Sequence, residues 1–249
     1  MPAGSCLAFG VEPNRRAPYE LRQARYQHLG EVAGREARAV VEREGRPVDL
    51  LDVGVGSGRS LRYLEPHVGE TPLRLTGVDV FPRGTEKVYR SSDWNLVERD
   101  LEEGLPDLPD DAYDVVVCEQ VLEHLHRYDR TLMDLERVVR PGGMVVVGVP
   151  IFPPGLHRLR APLVRLEDRV RGPQNREHVQ AWSLRAFLRD LRLLRSLEVQ
   201  EARGFRIVSG GLLRPLEFRE WWWRLNRRLG GWVPSLCVET QVVLRAAEE

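Results

Sequence analysis

The chain has 249 residues, enough for one α/β domain with elaborated ends. Basic and acidic residues balance at 37 each, which places a nucleic-acid-binding role lowest, and no stretch approaches the roughly 20 apolar residues of a membrane span. Cys6, Cys118 and Cys237 lie far apart with no CxxC spacing, so a disulfide framework and a structural zinc site are excluded. The polar, Pro/Gly-rich start, 1–16, lacks the apolar core of a signal peptide, and a cytoplasmic location follows by default. The charge is unevenly spread: residues 151–249 hold 18 arginines against 11 acids, which points to something anionic near that end or to arginines that only solvate helix faces.

In chain order, Tyr19 to Gly45 carries a helical apolar stripe that Gly45 and Pro47 stop. Val48 to Val53 is a buried strand ahead of a glycine cluster. Ser60 to Glu65 resumes a helix that Pro66 is expected to end. Leu73 to Val80 and Asn95 to Glu98 are the next strands. Tyr113 to Cys118, apolar throughout, reads as a strand covered on both faces. Tyr128 to Val139 is a helix closed by Pro141-Gly142-Gly143, and Met144 to Val149 is the fifth strand. After Pro150 the pattern changes, and 151–181 reads as a loop with short helical pieces. Ser183 caps a helix to Arg195, and Leu197 to Arg203 and Leu236 to Leu244 are two final strands. A helix running to Arg203 with a strand from Phe205 is the other division, disfavoured because Leu197, Val199 and Glu201 alternate with polar neighbours. Strand–helix alternation predicts an α/β fold with a mostly parallel sheet and helices on both faces. The chain divides into a tail and helix (1–46), a cofactor-binding half (47–150) and a substrate-binding and lid half (151–249).

The most informative stretch is Leu50-Leu51-Asp52-Val53-Gly54-Val55-Gly56-Ser57-Gly58-Arg59-Ser60. It joins a strand to a helix, where open α/β sheets bind nucleotide-type cofactors. The dinucleotide fingerprint Gly-x-Gly-x-x-Gly would need a third glycine where Arg59 stands, so a nucleotide-dependent oxidoreductase is disfavoured. Asp52 would repel a pyrophosphate and suits a cationic ligand. Asp79, closing the second strand, is placed to accept ribose hydroxyls, and Asp100, after the third, an adenine amino group; each could instead cap a helix or turn.

Four blocks, LLDVGVGSGRS (50–60), LTGVDVF (75–81), YDVVVCEQVLEHL (113–125) and LMDLERVVRPGGMVVVGVP (132–150), together with HVQAWSLRAFL (178–188), resemble the class I S-adenosylmethionine-dependent methyltransferases, in particular the quinone-biosynthesis group. The resemblance implies a Rossmann-like seven-stranded sheet with an antiparallel last strand. It implies S-adenosylmethionine as cofactor, with Asp52, Gly54, Val55, Gly56 and Gly58 around its methionine portion. Asp79 and Val80 would meet the ribose and adenine, Asp100 and Leu101 the adenine edge, and Glu119 and Gln120 the transferred methyl.

Methyl transfer from a sulfonium needs mainly a positioned acceptor, and a base only where the acceptor loses a proton. His178, which resembles a histidine seen there in related enzymes, and His124 are the candidates for that role; His126 would face elsewhere. Glu123-His124 also resembles metal-dependent members that use Glu-x-x-Glu-His, but Gln120 fills the first position and is a poor ligand for a hard cation, so no metal is expected. Residues 214–232 combine Trp221, Trp222, Trp223 and Trp232 with five arginines. Such a segment suits a lid over the acceptor or a peripheral contact with an anionic membrane. Three consecutive tryptophans on one helix span roughly 200°, so at least one should be exposed. The acceptor is expected to be a small molecule or a lipid-linked compound; a non-catalytic cofactor-binding partner subunit is the other class of reading.

Overall fold

The computed structural model describes residues 21–56, 58–80, 94–153, 179–207 and 211–248. Seven strands form one sheet: β1 (Val48–Val53), β2 (Leu73–Asp79), β3 (Trp94–Glu98), β4 (Tyr113–Glu119), β5 (Val139–Pro150), β6 (Leu197–Phe205) and β7 (Glu239–Ala246). The order is β3-β2-β1-β4-β5-β7-β6, and β7 alone runs antiparallel to its neighbours. The helices are α1 (Ala24–Glu44), α2 (Arg59–Val68), α3 (Tyr128–Val138), α4 (Leu184–Leu191) and α5 (Glu220–Trp232).

The most continuous apolar runs become central strands because both of their faces are covered. Alternate residues of β4 feed two cores: Val116 and Cys118 join Leu132, Leu135, Phe187 and Leu191, while Val115 and Val117 join Leu29, Ala33, Leu61 and Leu64. Every residue of β4 is buried, as a strand sandwiched between helical layers must be.

Several boundaries differ from the sequence expectation, each for a local reason. Pro66 does not end its helix; α2 continues to Val68 and stops at Gly69, whose φ is 58°. Proline this close to a C-terminus removes one intrahelical bond and leaves the preceding turns intact. The Pro141-Gly142-Gly143 turn does not precede β5 but lies within it, and the β4–β5 register shifts between Tyr113 and Val115 to absorb it. Ser183 caps α4 by accepting from the Ala186 N–H, as expected, but the helix ends at Leu191 rather than Arg195. The last strand begins at Glu239, after a 3-10 turn over Pro234–Leu236.

At the far edge, α5 lies on β6 with almost no space between backbones: a Cβ on Gly230 would sit 1.9 Å from the Gly204 carbonyl oxygen. The three tryptophans separate as helical geometry requires. Trp223 is buried against Leu21, Ala24 and Phe205, Trp222 is half-buried, and Trp221 is 57% exposed. Trp221 and Leu225 form the outer face of α5.

Candidate active site

The chain direction reverses across the sheet between β1 and β4, so the strand ends there open a crevice, the position at which ligands bind in open α/β sheets. The glycine loop leaves β1 at that point. Gly54, Gly56 and Gly58 have φ of 76°, 51° and 66°. These left-handed values give the tight turn that side-chain-bearing residues resist. Gly54 is needed twice, because a Cβ there would lie 2.1 Å from Val121 Cγ2. The turn after β4 therefore rests directly on the loop.

Asp79, at the end of β2, is tied to the loop: its Oδ2 accepts the Gly56 N–H at 2.8 Å and its Oδ1 the Val80 N–H at 2.7 Å. Asp52 is 2% exposed. Burial pushes its carboxyl up to about 7, a bond from Ser60 opposes that rise, and Glu119 and Asp79 add to it. One Asp52 oxygen, Oδ2, is buried without a hydrogen-bond partner. Val55 is buried on the apolar side of the loop, and Val80 is half out in solvent. Asp100 follows β3 and caps the 3-10 turn Leu101–Glu103 by accepting the Glu102 N–H at 3.0 Å. Leu101 is buried, and the Arg99 N–H bonds the Asp79 carbonyl, which draws the β2 and β3 ends together.

Glu119 and Gln120 close β4. Gln120 holds a φ of 59°, its N–H donates to the Gly148 carbonyl at 2.8 Å, and its buried Nε2 has no partner. Left-handed backbone at a non-glycine residue is costly and gathers at functional sites. The Glu119 carboxylate lies over Gly148 of β5, where any Cβ would meet Oε2 at 1.8 Å. It accepts from Gln241 Nε2 at 2.8 Å and pairs with Arg25 Nε at 2.9 Å. Burial raises it to about 7 against the pull of Arg25.

These two partners, and the residues behind them, were not apparent in the sequence. Arg25 Nη1 also meets Glu239 Oε1 at 2.8 Å, and Arg206 reaches the same oxygen at 2.8 Å. His28 Nδ1 bonds Gln241 Oε1 at 2.9 Å, and the His28 imidazole beside Glu201 holds that carboxyl down to about 2. The start of α1 is thus fastened to β4 and β7 by buried charge. Arg25 and Arg59 also lie over the Tyr26 ring, 4.6 and 5.6 Å from its centre.

His124 stands on the 3-10 turn Leu122–His124 just beyond, its side chain 37% exposed, with Nε2 3.9 Å from Glu123 Oε1. His126 points away and bonds Glu102 at 3.0 Å. His178 lies outside the described residues. Among the described residues no cluster of three or more His, Cys, Asp or Glu is arranged to hold a metal ion. Cys118 and Cys237 are free and buried.

Residues 51–147 match the model of the methyltransferase domain family. A demethylmenaquinone methyltransferase of Tropheryma whipplei is 30% identical over 151 residues, 58% of this chain and 53% of that protein. A ubiquinone biosynthesis O-methyltransferase of Pseudomonas savastanoi is 27% identical over 133 residues, 50% of this chain and 54% of that one. The chain thus spans about half the length of each relative. The solved 1,6-didemethyltoxoflavin-N1-methyltransferase of Burkholderia thailandensis, with bound S-adenosylhomocysteine, superposes with a TM-score of 0.51 at 16% identity, covering 88% of this chain and 80% of that one. Residues 51–147 are therefore similar to a methyltransferase domain, and the fold around them is shared with that solved methyltransferase.

Proposed function

We propose that the chain binds S-adenosylmethionine at the β1–β4 crevice and transfers its methyl group to a small, hydroxyl-bearing or lipid-linked acceptor. The observation that carries this reading is the bare glycine loop tied to Asp79 and backed by Asp52, whose Oδ2 has no partner of its own. A buried acid without a partner suits the ammonium and sulfonium of that cofactor and disfavours a pyrophosphate. Asp52, Gly54, Val55, Gly56 and Gly58 would hold its methionine portion, Asp79 and Val80 the ribose, Asp100 and Leu101 the adenine, and Glu119 and Gln120 the methyl. Asp100 can serve there through its second oxygen while it caps the 3-10 turn. Residues 151–249 would supply the acceptor side, with His124 and His178 as the groups to take a proton. The quinone-pathway relatives favour an aromatic acceptor. Calorimetry against S-adenosylhomocysteine and a nicotinamide dinucleotide tests the cofactor: tight dinucleotide binding would overturn it. Transfer of labelled methyl to acceptors separates an enzyme from a cofactor-binding subunit.

A peripheral contact with an anionic membrane is a second reading, favoured by the outer face of α5. Trp232 is 80% exposed and Trp221 57%, with Leu225 between them and Arg219, Arg224 and Arg228 exposed alongside. No helix among the described residues is long and apolar enough to cross a membrane. Indole at headgroup depth beside arginine fits an anionic surface. Co-sedimentation with vesicles of phosphatidylcholine alone and with phosphatidylglycerol checks it; absence from both at low salt removes the reading.

A further inference from the structure

A line of buried polar side chains runs from the crevice to the edge of the sheet. Glu119 of β4 meets Gln241 of β7, Gln241 meets His28 of α1, and His28 faces Glu201 of β6. His28 is 3% exposed and Gln241 is fully buried, so each polar atom must find its partner within this line. Arg25 Nε pairs with Glu119 Oε1 at 2.9 Å, and Gln241 Nε2 donates to Glu119 Oε2 at 2.8 Å. A primary amide has one donating end and one accepting end. With Nε2 spent on Glu119, Gln241 Oε1 is left to His28 Nδ1, 2.9 Å away, so Nδ1 carries a proton. His28 Nε2 then stands 3.6 Å from Glu201 Oε1, within ion-pair distance for a doubly protonated ring.

The same line has a second self-consistent arrangement. A protonated Glu119 keeps a bare oxygen for Arg25 and turns its hydroxyl to Gln241. The proton needs an acceptor, which the amide supplies only by turning over, so that Oε1 faces Glu119 and Nε2 faces His28. Nδ1 must then be bare, with the ring proton on Nε2. Any mixed arrangement sets donor against donor or acceptor against acceptor in a buried place, which is costly.

We propose that His28 and Gln241 form a relay that sets the charge of Glu119, with His28 Nδ1–H holding the carboxylate in the form that faces the sulfonium of the cofactor. This rests on the cofactor reading above. Turning the relay over moves one proton from Nδ1 of an imidazolium to Glu119 and exchanges none with solvent; one N–H bond breaks and one O–H bond forms. His28 and Gln241 are positioning residues, since both act on the cofactor through Glu119.

Burial raises Glu119 to about 7, against the pull of Arg25 and the Gln241 bond and with a further push from Glu239, so both arrangements are accessible near neutral pH. Asp52, Glu123 and the Cys118 thiol are the other ionisable groups close to it. His28 is faced by Glu201, which also bonds Arg203, and by Glu31 of α1, which is held by Arg227 of α5. The His28 imidazole holds Glu201 down to about 2, so this carboxylate stays ionised and draws a proton to Nε2 in either arrangement.

The test uses NMR on the full chain labelled at the histidine ring nitrogens, with His28 assigned by the loss of its signals in His28→Asn. At about pH 8.5, where Glu119 is ionised, wild type is expected to show a protonated Nδ1. Glu119→Gln stands in for the protonated acid: Arg25 holds its amide oxygen, its NH2 faces Gln241, and Nδ1 should become bare. A bare Nδ1 in wild type at that pH, or an unchanged ring in Glu119→Gln, overturns the relay. Calorimetry then compares S-adenosylmethionine with S-adenosylhomocysteine, which lacks the sulfonium charge. His28→Phe, which keeps a ring beside Phe205 but removes the donor, should lose several-fold of the wild-type preference for the cation. His28→Asn, whose amide N–H can take the place of Nδ1–H, should keep most of it. An equal loss of affinity for both ligands in His28→Phe overturns the positioning role. If neither ligand binds wild type while the ring states follow expectation, the relay stands and the cofactor reading falls.

Discussion

On the β1 side of the crevice, Asp52, Gly54, Gly56 and Gly58 arrive within seven consecutive residues, and Asp79 bonds Gly56 across only 23 positions. On the β7 side, Arg25 meets Glu239 across 214 positions, His28 meets Gln241 across 213, and Gln241 meets Glu119 across 122. The first region is one strand, one turn and the end of the next strand, so its chemistry is written locally. The second exists only once the two ends of the chain have come together. The side proposed to grip the cofactor can be built from a short motif, whereas the side proposed to meet the acceptor is assembled from distant residues.

The sharpest way to break this contrast is to loosen the distant assembly. Trp223→Ala empties the small core of Leu21, Ala24 and Phe205 that joins α5 to the start of α1. It should cost about 3–5 kcal/mol of stability in denaturant unfolding, as large aromatic truncations do. A loss below about 1 kcal/mol would mean that α1 and α5 are not held through this core. On the local side, Asp79→Ala removes the acceptor of the Gly56 and Val80 N–H groups. Cofactor affinity measured by calorimetry should fall by about 1.5–3 kcal/mol, while the melting temperature should change less than in Trp223→Ala.

The third prediction spans both regions. Asp52 and Glu119 are raised to about 7 by burial, and Glu123 to about 8. An acid whose folded value lies above its unfolded one binds its proton more tightly in the native state. Its stabilising contribution is complete below the unfolded value, near pH 4, and is lost as pH rises through 7 to 8. The ligand-free chain should therefore melt roughly 3–8 °C lower at pH 8.5 than at pH 5.5. A cationic cofactor, which favours ionised acids, should bind more tightly over the same rise. A flat melting profile would show that these acids are solvated in the folded chain. The smallest effect is expected at the outer face of α5, where Trp221→Ala and Trp232→Ala should change stability by less than about 0.5 kcal/mol.

What could be read beforehand follows the same division. The alternation of strands and helices, the glycine loop and the acids at the ends of β1, β2 and β3 are short-range patterns, and all seven strands appear where apolar runs place them. Pro66 misled because a proline near a helix end removes a bond that the last turn can spare. Asp100 caps the Leu101–Glu103 turn, the other reading that its position after the third strand allowed. Arg25, His28, Glu239 and Gln241 gave no signal, because an arginine in an amphipathic helix and polar residues in a strand look like surface. Gln241 is wholly buried in β7, and only its pairing with His28 and Glu119 explains a polar side chain there. Glu123 was visible as part of a Glu-His pair, but its full burial was not.

The antiparallel strand β7 lies between β5 and β6, and it also anchors α1, through Glu239 to Arg25, Gln241 to His28 and Arg245 to Glu36. The order of assembly follows. Strands β1 to β5 can pair while synthesis is still under way, but β6 has no neighbour and α1 no charge partners until residues 239–246 are available. Closing such long loops carries an entropic cost before any contact repays it, so this edge should form last and most slowly. In a refolding experiment followed by hydrogen exchange, amides of β1 and β4 would then gain protection before those of β6.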